Sequence, residues 1–369
     1  MPAANQPDSV SSPLTGLIEK AMAEAGGWLP FDRFMALALY APGLGYYANS
    51  GPKFGLLPAS GSDFVTAPEM SPLFGRALAV QVRQGLQASG TDTVFEFGAG
   101  SGALAEQLLD ALALAGRPAT QYRIVELSAE LRARQQLRLA RFGDRVQWLD
   151  VLPERIEGVV VGNEVLDAMP VQLLHFDGEQ WFERGVGRDD GAWVWRDLPT
   201  DLRPPLDAPF VPGTVTEIHA QARAWTSTLA QRLLRGVAIL IDYGFPEAEY
   251  YLPQRHGGTL MCHRAHQADT DPLTDVGLKD ITAHVDFTGI ALAAQGEACD
   301  VIGYTSQARF LVNCGIVEMM QAASLPEQVM AQRLITEHEM GELFKVIAFS
   351  RACDIDPVGF SAGDRTHRL

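Results

Sequence analysis

A glycine-rich turn at residues 94–102, which read VFEFGAGSG, constrains the fold of this chain more than any other segment. The residues before the first glycine predict a buried β-strand, and the apolar residues after the turn predict a helix over about 100–115. Gly98, Gly100 and Gly102 permit positive φ angles and leave space for a ligand close to the backbone. A strand, a glycine turn and a helix in this order predict a site for a nucleotide-like ligand.

Glu96, two residues before the first glycine, indicates which ligand the turn receives. A carboxylate at this place attracts the positively charged ammonium of S-adenosylmethionine (SAM) and repels the pyrophosphate of a dinucleotide. The turn therefore favours SAM. Gly98, Gly100 and Ala103 also satisfy the G-x-G-x-x-G/A dinucleotide pattern, so a nicotinamide-dependent oxidoreductase is an alternative. A glycine-rich turn without any ligand is another.

Acidic residues also end the next predicted strands. The pattern predicts strands alternating with helices, and therefore a parallel sheet, with the strands at 93–98, 121–126, 145–150, 158–162 and 237–242. Ligands bind outside the carboxyl ends of such strands. Glu126 is expected at the cofactor ribose, although a dinucleotide would suit it equally. Asp150 is expected to accept a hydrogen bond from the adenine, although a lone acid of this kind is also typical of a turn or a helix cap.

Further candidate residues could act on a methyl acceptor. Glu164 and Asp167 follow the fourth predicted strand, where carboxylates can hold a planar guanidinium group and help to remove its proton. Capping of the following segment is the alternative interpretation. His284, close to Asp286 in sequence, could accept a proton because the ordinary pKa of histidine is near neutral, and a structural role is again the alternative. The Cys and His residues at 262–269 match no closed zinc pattern, so no metal is predicted.

Charge and composition indicate which kinds of ligand and which cellular compartment suit this chain. The 369 residues carry a formal net charge of −16, which disfavours nucleic acid as the main ligand. The 4 cysteines are far apart and form no C-x-x-C motif, so we expect reduced thiols in a cytoplasmic protein. The amino-terminal residues resemble neither a signal peptide nor a basic transit peptide. No apolar run is long enough to predict a membrane span.

The pattern along the chain predicts four regions. Residues 1–13 are expected to be a disordered tail, and residues 14–90 a helical amino-terminal cover. Residues 91–350 are expected to form a Rossmann-like domain with insertions at 171–215 and 245–295. Asp177-Gly178 and Asp190-Gly191 predict hairpins in the first insertion. Residues 351–369 are expected to be a carboxy-terminal tail.

Several sequence blocks together resemble one family, the MidA-like SAM-dependent methyltransferases. The resemblance covers roughly residues 14–350 and rests on blocks at 39–47, 63–69 (DFVTAPE), 96–102, 163–171 (NEVLDAMPV), 241–244, 271–273 and 278–287 (LKDITAHVDF). Mitochondrial members of this family are complex I assembly factors that methylate a protein arginine. The resemblance implies an α/β fold of the class I SAM-dependent methyltransferases, Rossmann-like, with a mostly parallel seven-stranded sheet and an antiparallel edge.

The resemblance also implies roles for particular residues. It places Glu96, Gly98, Gly100, Glu126 and Asn163 at the cofactor. The residues themselves add Gly102 and Asp150 at SAM, and Glu164 and Asp167 at the acceptor, with Glu69, His284 and Asp286 as further candidates. The expected function is methyl transfer to a protein side chain, arginine before others, with a respiratory complex I subunit as one possible substrate. The alternatives are a SAM-binding assembly module without methyl transfer and a methyltransferase of small molecules. Apolar residues in the hairpins at 171–200 could support a homodimer.

Overall fold

The computed structural model describes residues 8–49, 65–116 and 119–369. Within these ranges the protein contains two larger β-sheets and a small three-stranded sheet. The helices are α1 (Asp8–Glu24), α2 (Phe31–Tyr40), α3 (Ala67–Met70), α4 (Pro72–Ser89), α5 (Ala103–Leu114), α6 (Ala129–Leu139), α7 (Ala220–Arg232), α8 (Glu247–Tyr250), α9 (Phe287–Gly296), α10 (Gln307–Asn313), α11 (Ile316–Gln321) and α12 (Leu325–Ile335). The strands are β1 (Leu29–Pro30), β2 (Thr93–Phe97), β3 (Gln121–Val125), β4 (Val146–Leu149), β5 (Ile156–Asn163), β6 (Gln172–Phe176), β7 (Trp181–Asp189), β8 (Ala192–Pro199), β9 (Thr214–Ile218), β10 (Leu233–Phe245), β11 (Met261–Arg264), β12 (Gln267–Asp269), β13 (Asp280–Thr282), β14 (Val285–Asp286), β15 (Asp300–Ser306) and β16 (Phe344–Arg351).

The central sheet has the strand order β15-β16-β10-β5-β2-β3-β4. Strands β10, β5, β2, β3 and β4 are parallel, whereas β16 pairs antiparallel with both β10 and β15. This confirms the predicted mostly parallel sheet with an antiparallel edge. The two-residue strand β14 also pairs with β10 and makes the sheet eight-stranded.

Side chains that alternate along the buried strands build a core on each face of the central sheet. In β5, Val159 and Val161 point to the face covered by α4 and α5, and Val160 points to the face covered by α7 and α9. Strand β5 therefore has an almost continuous apolar sequence, as expected for a parallel strand buried on both faces.

The first insertion forms an antiparallel sheet of its own, in which β9, β6, β7 and β8 are neighbours. Its hairpins turn at Asp177-Gly178 and at Asp190-Gly191, where the backbone of Asp190 (φ 44°) and Gly191 (φ 80°) is left-handed. Strand β1 adds to this sheet by pairing with β7. A third core of side chains from α1, α2, β6 and β13 joins the amino-terminal region to both insertions.

Both ends of the chain differ from the predicted tails. Helix α1 begins at Asp8, inside the segment 1–13 that was expected to be disordered. At the other end, the buried ring of Phe360 packs on Phe310, with ring centroids 5.4 Å apart. The backbone N–H groups of Val358 and Gly359 donate to the side chains of Gln84 and Gln81 in α4. This packing has no local sequence signal, because it depends on one aromatic residue and on distant partners.

The structure also bears on the predictions for the DFVTAPE block, for membrane spans and for metal sites. Asp63 and Phe64, which begin the DFVTAPE block, lie outside the described residues, and Ala67–Met70 form α3. None of the helices in the described ranges has both the length and the apolar character needed to cross a membrane. Within those ranges, no group of three or more His, Cys, Asp or Glu residues is arranged to hold a metal ion.

Candidate functional site

A cavity of about 1090 Å³ opens at the carboxyl edge of the central sheet. The glycine turn after β2, the end of β3 and the segment after β5 form one side of it. Tyr40 and Tyr47, from the end of α2 and the loop after it, line it together with Asp280 of β13. The amino-terminal region and the second insertion therefore help to enclose a site that the parallel sheet provides.

The glycine turn has the backbone geometry that the sequence predicts. Gly98, Gly100 and Gly102 have φ angles of 63°, 52° and 82°, in the left-handed region that favours glycine. A Cβ atom on Gly98 would lie 3.1 Å from Cγ2 of Val165, which is tighter than ordinary contact. Glycine at this position therefore lets the turn approach the segment after β5.

Glu96 lies beneath this turn in an apolar setting and lines the cavity. Its side chain is buried, and the hydroxyl of Tyr122 donates to its Oε2 at 2.6 Å. Burial raises the pKa of Glu96 to about 7. A cationic ligand at the cavity wall would favour the ionised carboxylate and so gain binding free energy from it.

We expect the Glu96→Gln variant to bind SAM about 10- to 100-fold more weakly, because a hydrogen bond to a charged group contributes about 1.5–3 kcal/mol. Glutamine keeps an oxygen that can accept from Tyr122, so the fold should survive. Isothermal titration calorimetry with SAM measures the loss. Glu157→Gln, on a half-exposed acid at the opposite end of β5, is the matched control. Equal affinities in the two variants would contradict the role of Glu96.

Glu126 is fixed by a network that also reaches the glycine turn. Its carboxylate accepts from the backbone N–H of Ser128 at 2.8 Å and from Nε2 of Gln135 at 2.9 Å. The same Gln135 nitrogen donates to the carbonyl oxygen of Gly100 at 2.9 Å, and Trp148 donates to Gln135 Oε1. Gln135 therefore couples two of the predicted cofactor residues. Its role was not predictable from the sequence, because a glutamine within a helix carries no signal of its own.

Asp150 lies apart from these residues. Its side chain is 81% exposed, pairs with Arg132 at 2.8 Å and does not line the cavity. Near this end of the cavity the wall is apolar, with Val125, Leu127 and Leu152. The structure thus brings Glu96, Glu126 and Asn163 together around one cavity and leaves Asp150 at its outside.

The segment after β5 places Glu164 and Asp167 in the cavity wall, and the side chain of Asp242 holds that segment in place. Asp242, at the end of the predicted strand 237–242, accepts through Oδ2 from the backbone N–H groups of Val165 (3.1 Å), Leu166 (2.9 Å) and Asp167 (3.3 Å). Glu164 has a φ angle of 54°, which is strained for a residue with a side chain. Asp242 therefore acts as a positioning residue that holds a strained loop, and its place at the end of a predicted strand is the sequence signal that points to it.

Three carboxylates, those of Glu164, Asp167 and Asp280, meet in this part of the cavity. Burial and then the nearby Asp167 and Asp280 raise the pKa of Glu164 to about 8. Burial raises the pKa of Asp167 to about 6. None of the described residues that line the cavity is a lysine or an arginine. The described part of the cavity wall is therefore acidic.

Asn163 stands between the glycine turn and these acids. Its Nδ2 donates to Glu164 Oε1 at 2.8 Å. Its Oδ1 is buried and has no hydrogen-bond partner among the described residues. Buried polar atoms are rarely left unpaired, so this oxygen fits a ligand that donates a hydrogen bond. Together with the glycine turn and Glu96, this atom belongs to a set of residues that fits SAM.

The remaining predicted residues lie outside the cavity. Glu69 pairs with Arg138 at 3.0 Å and accepts from the hydroxyl of Ser101. The ring of His284 packs on Tyr243, and burial, followed by Arg255 and Lys345, lowers its pKa to about 4. Asp286 caps α9 by accepting from the N–H of Gly289 at 3.1 Å. The packing of His284 matches the structural role that the sequence left open for it.

Comparisons with known proteins agree with this geometry. A family model described as "Putative S-adenosyl-L-methionine-dependent methyltransferase" matches residues 77–305. A crystal structure from Burkholderia thailandensis, described as a "likely methyl transferase" bound to S-adenosyl-homocysteine, is 50% identical with a TM-score of 0.95 and covers 100% of both chains. The proteins named protein arginine methyltransferase NDUFAF7, mitochondrial, are more distant. The Caenorhabditis elegans homologue is 25% identical over 92% of this chain and 88% of its own, and the human protein is 26% identical over 93% and 85%.

The matched residues span the glycine turn, the acids after β5 and both insertions, and a structure of the same fold holds the demethylated cofactor. The cofactor of this protein is accordingly SAM. The chain belongs to the MidA-like family of S-adenosyl-L-methionine-dependent methyltransferases.

Proposed function

We propose that this protein transfers a methyl group from SAM to a guanidinium nitrogen of arginine in a protein substrate. One observation carries the proposal: the cavity that contains the glycine turn also contains the carboxylates of Glu164, Asp167 and Asp280, without any lysine or arginine among its described lining residues. A site of this charge suits a cationic acceptor. The relatives at 25–26% identity are named protein arginine methyltransferases, which supports the choice of arginine.

Different residues of the cavity would bind the cofactor and the acceptor. Glu96, Glu126 and Asn163 would hold SAM, which, when bound, supplies a methyl group on a positively charged sulfur. Glu164 and Asp167 would accept hydrogen bonds from the guanidinium and orient one nitrogen toward that methyl group. This nitrogen would gain a bond to the methyl carbon while the bond between that carbon and sulfur breaks, S-adenosyl-homocysteine would leave, and the nitrogen would lose one proton. Glu164, whose pKa is raised to about 8, is the proton acceptor.

Transfer of labelled methyl groups to defined peptides tests the proposal. The full-length protein is incubated with methyl-labelled SAM and three peptide pools of random sequence, centred on arginine, lysine or glutamine. We expect label in the arginine pool at about tenfold or more over the lysine pool, because a planar fork of donors matches paired carboxylates better than a compact ammonium. Acid hydrolysis should then release methylated arginine.

Two other results would each replace the proposal with a different function. Label in the lysine pool, or only in a small-molecule fraction of a cell extract, would assign another acceptor. Binding of SAM without label in any fraction would favour an assembly module that performs no methyl transfer.

A further inference from the structure

We propose that Asp280, held by Tyr47, is a third acceptor-binding carboxylate that selects a guanidinium over an ammonium group. The inference rests on the proposed function and names the residues of that site which determine specificity. Neither residue belongs to the parallel sheet. Tyr47 comes from the loop after α2, and Asp280 begins β13 in the second insertion.

Asp280 is buried and precisely held, yet it lines the cavity. Its side chain is 2% exposed, and strand β13 is fixed by antiparallel pairing of Asp280 with His263 of β11. The Tyr47 hydroxyl lies 2.9 Å from each of the two carboxylate oxygens. The hydroxyl therefore anchors the carboxylate at the cavity wall, and each oxygen of an ionised carboxylate can accept more than one hydrogen bond.

Hydrogen bonds tie the three segments around the acids into one unit. The backbone N–H of Ala283, just after β13, donates to the carbonyl oxygen of Asp167 at 3.0 Å. The hydroxyl of Tyr40 donates to the carbonyl oxygen of Ala168 at 2.8 Å. Asn49 Nδ2 donates to the carbonyl oxygen of Gly277 at 3.0 Å. The position of β13 relative to Asp167 is therefore set by direct contacts, and the side chains of Asp167 and Asp280 line the same cavity.

The charge of this region needs a ligand of opposite sign. Asp280 and Asp167 both raise the pKa of Glu164, which places the three acids within electrostatic reach of one another. Lys279, the residue next to Asp280, directs its ammonium away to Asp269 at 2.8 Å and to the hydroxyl of Thr274 at 2.7 Å. A cation that enters the cavity would relieve the mutual repulsion of the three acids.

The arrangement suits a guanidinium better than an ammonium group. A guanidinium presents five N–H donors in one plane and in several directions, whereas an ammonium is a compact charge with three donors. Carboxylates from two separate segments, Asp167 after β5 and Asp280 in β13, line the same cavity and provide acceptors from more than one element. The rings of Tyr40 and Tyr47 are stacked, with centroids 5.6 Å apart and planes 17° apart, and line the same cavity. Arginine stacks on such faces more readily than lysine.

Calorimetric titration of the full-length protein, saturated with S-adenosyl-homocysteine, tests this inference. The probes are Nα-acetyl-arginine amide and Nα-acetyl-lysine amide. We expect the wild type to bind the arginine probe about tenfold or more tightly than the lysine probe, and Asp280→Asn to reduce that preference to about threefold or less, since one charge-assisted contact is lost. Affinity for S-adenosyl-homocysteine should stay unchanged. Asp300→Asn, on an exposed acid of the edge strand β15, is the matched control and should keep the wild-type preference.

The outcomes separate this inference from the proposed function. If Asp280→Asn keeps the wild-type preference, Asp280 does not select the acceptor, while the arginine proposal stands. If the wild type itself shows no preference for the arginine probe, both the arginine proposal and the role of Asp280 are overturned. Loss of S-adenosyl-homocysteine binding together with the preference would show a structural role and overturn the inference. Should Asp280→Asn fail to fold, Tyr47→Phe decides: a preference reduced below the wild-type value supports the inference, and an unchanged one overturns it.

Discussion

Replacing Glu164 with glutamine is expected to lower kcat for methyl transfer to the arginine-centred peptide pool about 10³-fold, within the range of a lost general base. The variant keeps the shape of the side chain and the partner of Asn163 Nδ2, so SAM should bind with nearly unchanged affinity. What is lost is the charge that orients the guanidinium and the group that takes its proton. Initial rates with labelled SAM and calorimetry with S-adenosyl-homocysteine measure the two quantities separately.

The pH profile adds a readout that a merely structural role would not change. Burial, Asp167 and Asp280 raise the pKa of Glu164 to about 8 in the free protein, so well below that pH the side chain carries a proton and cannot accept another. At saturating SAM, kcat/KM for the peptide should therefore rise with pH and level off at or below about pH 8, because the positive charge of bound SAM lowers this pKa. In Glu164→Gln this rise should disappear, and only a weaker dependence from Asp167, with a pKa of about 6, should remain.

Glu217→Gln provides the control for removing a buried carboxylate. Glu217 is fully buried outside the cavity and accepts from the N–H of Thr259 at 2.6 Å and from the hydroxyl of Tyr250 at 2.9 Å. Its replacement should lower stability and leave the shape of the pH profile unchanged. A Glu164→Gln variant with wild-type kcat would show that the acid is not part of the transfer step. Equal losses of kcat in both variants would point instead to a general effect of the lost buried charge.

The sequence predicted the sheet side of the site because parallel strands bring their carboxyl ends to one edge. Glu96, Glu126, Glu164 and Asp167 follow or end such strands, so their shared location needed only the strand assignments and the topology. The glycine positions were predictable for the same reason, since the turn requires positive φ angles.

The other side of the site could not be predicted in this way. Tyr40, Tyr47 and Asp280 reach the cavity through the packing of α2 and the second insertion, which have no fixed relation to the sheet in the sequence pattern. His284 and Asp286 show the converse case. Their residue types suggest proton transfer, but the ring of His284 packs on Tyr243 and the carboxylate of Asp286 caps a helix. Local sequence carries residue chemistry, and only tertiary packing decides which groups share a cavity.

Asp242→Ala is expected to reduce the free energy of unfolding by about 3 kcal/mol, because each buried N–H left without a partner costs about 1–3 kcal/mol and water can reach only some of them. The carboxylate accepts three N–H groups of the segment 165–167 and a fourth from Tyr243 at 2.9 Å. One effect opposes the loss: burial and the acids Asp167 and Glu164 raise the pKa of Asp242, so its removal relieves repulsion. The four hydrogen bonds outweigh this gain, since protonation of Asp242 already reduces the repulsion in the native protein. Urea unfolding of the full-length protein measures the difference.

Asp177→Ala is the matched control, since Asp177 also accepts two backbone N–H groups at 2.8 Å but does so in an exposed hairpin turn. There water can replace the lost acceptor, so its urea midpoint should move much less. Asp242→Ala should in addition lower methyl transfer, because Glu164 keeps its left-handed backbone only while the following N–H groups are held. Asp242→Asn, which retains one accepting oxygen, should lose less stability than the alanine variant. If Asp242→Ala and Asp177→Ala lost equal stability, the loop after β5 would be held by packing alone, and Asp242 would have no positioning role.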